Sequence, residues 1–123
     1  MKSLPAPVYI VSATRTPIGA FQGALSSLAA PRLGAAVIEA ALSRANLPAD
    51  KVEEVFMGNV LSAGIGQAPA RQAAIYAKLP KSVPATTISK VCGSGLQAIL
   101  FGTKTIAIGD ADASPAAEPW QTA

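Results

Sequence analysis

The chain has 123 residues, of which half are hydrophobic and 14% are charged. This composition suits one small folded domain and argues against an intrinsically disordered chain. The formal net charge of +3 comes from basic residues scattered along the sequence, so a nucleic-acid surface is not expected. One cysteine and no histidine exclude an internal disulfide, a Cys–His dyad and a histidine-ligated metal built from this chain alone. We therefore expect no metal and no cofactor.

The hydropathy pattern argues against insertion into a membrane. No stretch reaches the roughly 18 apolar residues of a membrane span. Residues 1–5 lead towards the first predicted strand without the apolar core of a signal peptide. We therefore expect a cytoplasmic protein that has no membrane partner.

The first half of the chain predicts a strand, a loop and a helix. Residues 8–12 (VYIVS) form a short β-branched run, which predicts a buried strand. Residues 15–23 combine a proline with two glycines, a pattern typical of a loop. A helical period begins at Leu33, with Pro31 suited to the first turn and Pro48 just beyond the end.

The second half alternates strand and helix twice more. Strands are predicted at residues 52–60 and 85–91, and helices at residues 68–77 and 95–108. Gly109 follows the last helix at the position where a glycine commonly ends one.

The resulting order is β-α-β-α-β-α, which predicts an α/β fold with a parallel sheet covered by helices. Residues 113–123 contain two prolines and no strand pattern, so we expect this tail to be disordered. The predicted organisation is therefore one partial domain at residues 1–112, followed by a divergent tail at residues 113–123.

Cys92 is the most informative residue, because it stands between the third predicted strand and the third predicted helix. A helix N-terminus offers unpaired N–H groups and a partial positive charge, which favour the nucleophilic thiolate. Gly93 and Gly95 leave space for an electrophile to approach the sulfur. The alternative is a buried structural cysteine, since free cysteines are commonly buried.

Three motifs together resemble the thiolase family. They are residues 8–19 (VYIVSATRTPIG), residues 58–74 with their GNV and GQAPARQAA runs, and residues 91–96 (VCGSGL). They follow the order of the family, and the resemblance extends over roughly residues 7–112. It is strongest towards the biosynthetic acetyl-CoA acetyltransferases, and it implies the incomplete N-terminal half of a thiolase-like fold.

The resemblance also implies a function. Cys92 would be the catalytic nucleophile that takes an acyl group from an acyl-CoA substrate, and a second acyl-CoA would attack that group in a Claisen condensation. The backbone N–H of Cys92 would help to stabilise the tetrahedral oxyanion. Family members form homo-oligomers, either dimers or tetramers. The histidines and the second cysteine that complete the family's site do not occur in these 123 residues, so we expect this chain alone to be inactive.

Two alternatives to the catalytic role stay open. The chain is either a catalytically inactive truncated fragment or a partner-binding piece of a thiolase. A ketosynthase-like relative is a third reading, against which the RTPIG loop at residues 15–19 argues.

The other polar residues of the motifs are expected to be structural. Arg15 is expected to brace a loop, with contact to an anion as the alternative. Arg71 and Gln67 resemble the family's dimer-interface loop, so structural roles are expected for both. We expect Asn59 to act as a hydrogen-bonding brace at a strand end. Ser89 and Ser94 flank the cysteine, but neither is a credible nucleophile without a base.

Overall fold

The computed structural model describes residues 7–117 and places three helices, one short 3-10 helix and three strands among them. In chain order these elements are α1 (Ala30–Ala45), the 3-10 helix (Ala49–Lys51), β1 (Val55–Gly58), α2 (Pro69–Tyr76), β2 (Ala85–Ile88), α3 (Ser94–Ala107) and β3 (Ala116–Ala117). None of the helices in the described part is long and apolar enough to cross a membrane.

The three strands form one parallel sheet in the order β2-β1-β3. Strand β1 is central, and all four of its residues are buried. Phe56 pairs with Thr86 on one side and with Ala116 on the other. The predicted α/β class with a parallel sheet is therefore confirmed.

The hydrophobic core lies on both faces of β1, because its side chains alternate. Val55 and Met57 face a larger cluster shared with α1 and α2, in which Ile38 is 1% exposed. Phe56 faces a smaller cluster, where it packs against Ala98 of α3.

Helix α3 turns its small residues towards the sheet. Ala98 is fully buried, and a Cβ added at Gly102 would lie 3.4 Å from the Ser114 Oγ atom. Leu96 and Leu100 are exposed at 65% and 42%. The small-residue face lets the helix approach the sheet closely, while larger apolar side chains point away from it.

The strand predicted at residues 8–12 does not form. Tyr9, Ile10 and Val11 are between 73% and 80% exposed, and no strand pairs with this segment among the described residues. A β-branched run fits a half-buried sheet, but it becomes a strand only when another strand pairs with it. The prediction was therefore wrong, because a β-branched composition does not form a strand unless a second strand pairs with it.

The start of the tail is better ordered than predicted. The Phe56 N–H donates to the Pro115 carbonyl at 3.1 Å, and the Glu53 N–H donates to the Ala113 carbonyl at 3.2 Å. The Glu53 carboxylate also accepts a hydrogen bond from the Asp112 N–H. These bonds add a short third strand, since backbone pairing needs no particular side chain.

The prediction of a tail without a strand is therefore wrong at Ala116–Ala117. The predicted division between residues 112 and 113 stays a prediction. Residues 118–123 lie outside the described part of the chain.

Candidate active site around Cys92

Cys92 lies in the turn that joins β2, which ends at Ile88, to α3, which begins at Ser94. Its side chain is exposed. The strand-to-helix position agrees with the sequence prediction, and the exposure disagrees with the alternative of a buried structural cysteine. The sulfur is open to a reagent from solvent.

The Ser94 hydroxyl holds this turn from inside. Ser94 is fully buried, its Oγ accepts a hydrogen bond from the Lys90 N–H at 2.8 Å, and its O–H donates to the Val91 carbonyl at 2.7 Å. Two backbone bonds close the same turn, from the Gly93 N–H to the Lys90 carbonyl at 2.9 Å and from the Ser94 N–H to the Val91 carbonyl at 3.2 Å. Residues 90–94 are therefore tied together by four hydrogen bonds.

Val91, directly before the cysteine, has φ +47°. This left-handed conformation is unusual for a β-branched residue and costs roughly 1–3 kcal/mol. Such a conformation persists only when surrounding interactions enforce it. The hydrogen bonds to the Val91 carbonyl are the interactions that meet this need here.

Gly58 allows the start of α3 to lie against the end of β1. A Cβ atom at Gly58 would lie 2.7 Å from both the Gly95 nitrogen and the Ser94 carbonyl carbon. Real Cβ atoms almost never approach other atoms so closely. A glycine is therefore required for this contact between the sheet and the turn.

Asn59 also supports the turn, and it is the hydrogen-bonding brace predicted at a strand end. It is 2% exposed, its N–H donates to the Ile88 carbonyl at 2.9 Å, and its Nδ2 donates to the Ser62 Oγ at 3.3 Å. The first of these bonds joins the ends of β1 and β2 immediately before the turn.

The backbone donors of the turn are used unequally. The N–H groups of Gly93 and Ser94 bond within the turn, whereas the Cys92 N–H donates none of the hydrogen bonds formed within residues 7–117. The Lys90 ammonium donates to the Gln97 Oε1 at 2.9 Å, which places a positive charge beside the first turn of α3. The site thus offers an exposed thiol, a backbone donor with no hydrogen bond within residues 7–117, and a lysine ammonium held at the first turn of α3.

Of the two arginines expected to be structural, Arg71 holds the loop before β2, whereas the hydrogen bond of Arg15 is local. The Arg71 guanidinium donates to the Val83 carbonyl at 2.7 Å and to the Lys81 carbonyl at 2.8 Å. Among the described residues, the Arg15 guanidinium donates only to the neighbouring Thr16 carbonyl, at 3.2 Å, so its role as a loop brace stays a prediction. The Gln67 carbonyl accepts a hydrogen bond from Gln72 Nε2 at 2.7 Å, and its place in an interface loop stays a prediction.

Arg15 also lines an open concavity of about 620 Å³. Its other lining residues are Ala13, Thr14, Pro17 and Arg44. Cys92 is not among them, so the structure does not bring Arg15 and the cysteine together.

Sequence reasoning missed the roles of Gly58 and Ser94. The available signals were a glycine at the last position of a buried strand and a serine at the start of a helix. Gly58 acts through a contact with a segment more than 30 positions away, and Ser94 acts through the geometry of a local turn. A linear sequence pattern specifies neither.

The sequence profile described as "Thiolase, N-terminal domain" matches residues 8–116. The chain belongs to the thiolase family. This match contains the Cys92 turn and ends at Ala116, the first residue of β3.

Individual thiolases resemble the chain closely. It is 55% identical over 112 residues to the cytosolic acetyl-CoA acetyltransferase ERG10 of Gibberella zeae, with 91% of this chain and 28% of that protein covered. It is 53% identical over 105 residues to the mitochondrial acetyl-CoA acetyltransferase of Danio rerio, covering 85% of this chain and 25% of that protein. The chain thus spans about a quarter of the length of these relatives.

A solved thiolase has the same fold over this region. The Acat5 thiolase of Ascaris suum, in complex with coenzyme A, superposes with a TM-score of 0.81 at 48% sequence identity. The similarity covers 82% of this chain and 26% of that one. The chain therefore corresponds to an N-terminal part of the thiolase fold.

Proposed function

We propose that this chain is the nucleophile-bearing part of an acetyl-CoA acetyltransferase, and that Cys92 accepts the acetyl group. The observation that carries the proposal is the exposed Cys92 thiol in a rigid turn at the start of α3. The similarity to acetyl-CoA acetyltransferases supports the choice of an acyl-CoA as substrate.

The proposed step is a thioester exchange. The Cys92 sulfur, as the thiolate, attacks the carbonyl carbon of acetyl-CoA, and a tetrahedral oxyanion forms. Collapse of that intermediate breaks the bond to the coenzyme A sulfur, which leaves with the electron pair as the thiolate. A thioester acyl-enzyme keeps the carbonyl electrophilic for the next attack.

The turn suits the oxyanion as well as the nucleophile. A preorganised N–H donor near the developing charge lowers the barrier, and removing one such donor typically costs about 100-fold or more in rate. The Cys92 N–H, which donates no hydrogen bond within residues 7–117, is the donor that we propose for this role. The partial positive charge at the start of α3 acts in the same direction.

These 123 residues contain no histidine and no second cysteine to move protons during a second, carbon–carbon bond-forming step. General acid–base groups contribute about 100- to 10,000-fold each. We therefore propose that the chain by itself accepts an acetyl group but does not turn over.

The test is to incubate the chain with acetyl-CoA and measure its intact mass, followed by peptide mapping. The expected result is one acetyl group on Cys92, absent in Cys92→Ser and removed by hydroxylamine. Iodoacetamide alkylation of a parallel sample shows that the thiol is reduced and accessible. Alkylation without acetylation would contradict the proposal.

The second candidate is a non-catalytic, partner-binding piece of a thiolase. The observation in its favour is the exposed apolar side of α3, where Leu96, Ile99 and Leu100 are between 39% and 65% exposed. Soluble monomers rarely leave such contiguous apolar surface uncovered. A chain that alkylates normally and takes no acetyl group from acetyl-CoA is the outcome that favours this candidate.

Assembly and compartment are parts of the same proposal. We propose a cytoplasmic protein that forms a homo-oligomer, a dimer or a tetramer, within a complete thiolase. The relatives include a cytosolic and a mitochondrial form, so fractionation of the source cells is the deciding measurement. Recovery of the chain in the organelle fraction would contradict the cytoplasmic assignment.

A further inference from the structure

We infer that Ser94 is a positioning residue for the nucleophile: its buried hydroxyl locks Val91 in the left-handed conformation and thereby sets the position of Cys92. This inference rests on the proposed function, because it concerns how the same thiol is presented to an acyl donor. In this role the Ser94 hydroxyl acts through the backbone of the turn and not by contact with the reacting atoms.

The first argument is the placement of the two hydrogen bonds. The Ser94 hydroxyl contacts the strained residue and the residue before it: it accepts from the Lys90 N–H at 2.8 Å and donates to the Val91 carbonyl at 2.7 Å. Ser94 is fully buried, so its hydroxyl is shielded from water and is used by the turn in both directions. Loss of the hydroxyl would remove the acceptor of the Lys90 N–H and one of the two donors to the Val91 carbonyl, which would let Val91 relax.

The second argument is the conformation of Val91. A valine at φ +47° has an accessible lower-energy alternative at negative φ, towards which the turn relaxes unless it is held. Val91 immediately precedes Cys92, so a change of its backbone angles moves the sulfur and the Cys92 N–H together. A displacement of about 1 Å in a reacting group can cost 100-fold in rate.

The third argument is that the other side of the turn is fixed. The absence of a side chain at Gly58 lets the Ser94–Gly95 backbone lie against the end of β1, as the 2.7 Å distance for an added Cβ shows. The Ser94 hydroxyl and the close contact with β1 therefore hold the turn from two sides. We expect this double support to position the backbone of Cys92, although its side chain is exposed.

The experiment uses 4-nitrophenyl acetate, which acetylates thiols without any recognition of coenzyme A. The Cys92 thiolate bonds to the ester carbonyl carbon, the ester C–O bond breaks, and 4-nitrophenolate leaves with the electron pair. The rate is followed by nitrophenolate release and by intact mass. Cys92 is the only cysteine of the chain, so the thioester signal has one source.

We expect Ser94→Ala to lower the acetylation rate roughly tenfold, in line with a small displacement of the nucleophile. Amide hydrogen exchange at Lys90 should accelerate in the same variant. The matched control is Ser114→Ala, because the Ser114 hydroxyl is also buried but makes no hydrogen bond within the described residues. Ser114→Ala should leave both readouts unchanged.

A second variant separates positioning from simple destabilisation. Glycine adopts positive φ at little cost, so adding Val91→Gly to Ser94→Ala should restore most of the acetylation rate. If Ser94→Ala alone does not fold, the double variant still tests whether the hydroxyl positions Cys92 through Val91. Rates are compared at equal folded fraction, measured by urea unfolding.

Two results would overturn the inference. The first is wild-type acetylation by Ser94→Ala despite faster exchange at Lys90. The second is a loss that Val91→Gly does not restore. Normal reaction with 4-nitrophenyl acetate but none with acetyl-CoA would instead count against the proposed function and leave the role of Ser94 standing.

Discussion

Residues 8–12 and residues 88–95 differ in how firmly the rest of the fold holds them. Both were predicted from short runs, the first as a strand and the second as a strand end leading into a helix. The second segment is held by the Ser94 hydroxyl, by a glycine contact from β1 and by the Asn59 N–H. The first has no strand beside it in the described part of the chain, and its largest side chains are exposed.

The difference shows which interactions each predicted element depends on. A strand-to-helix turn closes within a few residues, so nearby sequence contains most of the interactions that form it. A strand needs a second strand, and that requirement lies elsewhere in the chain. The N-terminal segment is instead attached to α1 by two side-chain bonds, from Thr14 Oγ1 to the Val37 carbonyl and from the Arg44 guanidinium to the Ala13 carbonyl.

Among changes near the Cys92 turn, the largest expected effect comes from Gly58→Ala. The added Cβ would lie 2.7 Å from two backbone atoms at the start of α3, so the helix or the strand must move. We expect the free energy of unfolding to fall by about 2–3 kcal/mol, as in other overpacked sites. Urea denaturation followed by circular dichroism measures the change.

The control for this substitution is Gly93→Ala in the same turn. A Cβ there meets its nearest atom, the Lys90 carbonyl oxygen, at an ordinary distance of 3.4 Å. Its cost should stay below about 1 kcal/mol, the typical difference between glycine and alanine at such a helix start. Equal losses in both variants would mean that the contact with β1 does not shape the turn.

An intermediate effect is expected from Arg71→Ala. This change removes two bonds to the carbonyls of Lys81 and Val83 in the loop that leads into β2. We expect a loss of about 1–2 kcal/mol, because the hydrogen bonds are charge-assisted and the Val83 carbonyl bond is partly buried. Thermal and urea unfolding should agree on the direction.

Arg44→Ala is the matched comparison in the N-terminal region. It removes one exposed bond, to the Ala13 carbonyl, and should cost less than about 0.5 kcal/mol. If Arg44→Ala proved as costly as Arg71→Ala, the N-terminal segment would be more firmly attached than its exposure indicates.

The smallest effect is expected from Ile10→Ser. Ile10 is 80% exposed, so little apolar surface is lost from the core and the unfolding free energy should change by less than about 0.5 kcal/mol. By contrast, Met57→Ala removes a side chain that is 1% exposed and should cost about 2–5 kcal/mol. A large loss from Ile10→Ser would show that residues 8–12 are buried in solution, and the contrast between the two regions would disappear.

Most of the helical structure could be predicted because it depends on local signals. Pro31 and Pro69 lie in the first turns of α1 and α2, and Gly109 follows α3 with φ +83°. The position of Cys92 between a strand and a helix was also predictable. The support behind it was not, because the role of Ser94 depends on a turn geometry and that of Gly58 on a contact across the fold.

The sequence by itself determined the alternation of helices and strands, the thiolase motifs and the place of Cys92 at the start of a helix. These features depend on neighbouring residues, whose periodicity and backbone preferences act over a few positions. The tertiary structure alone decided that β3 would pair with β1 while residues 8–12 would find no strand partner within residues 7–117. It also decided that a hydroxyl and a missing side chain would hold the nucleophile, since strand pairing and close packing depend on which distant segments meet.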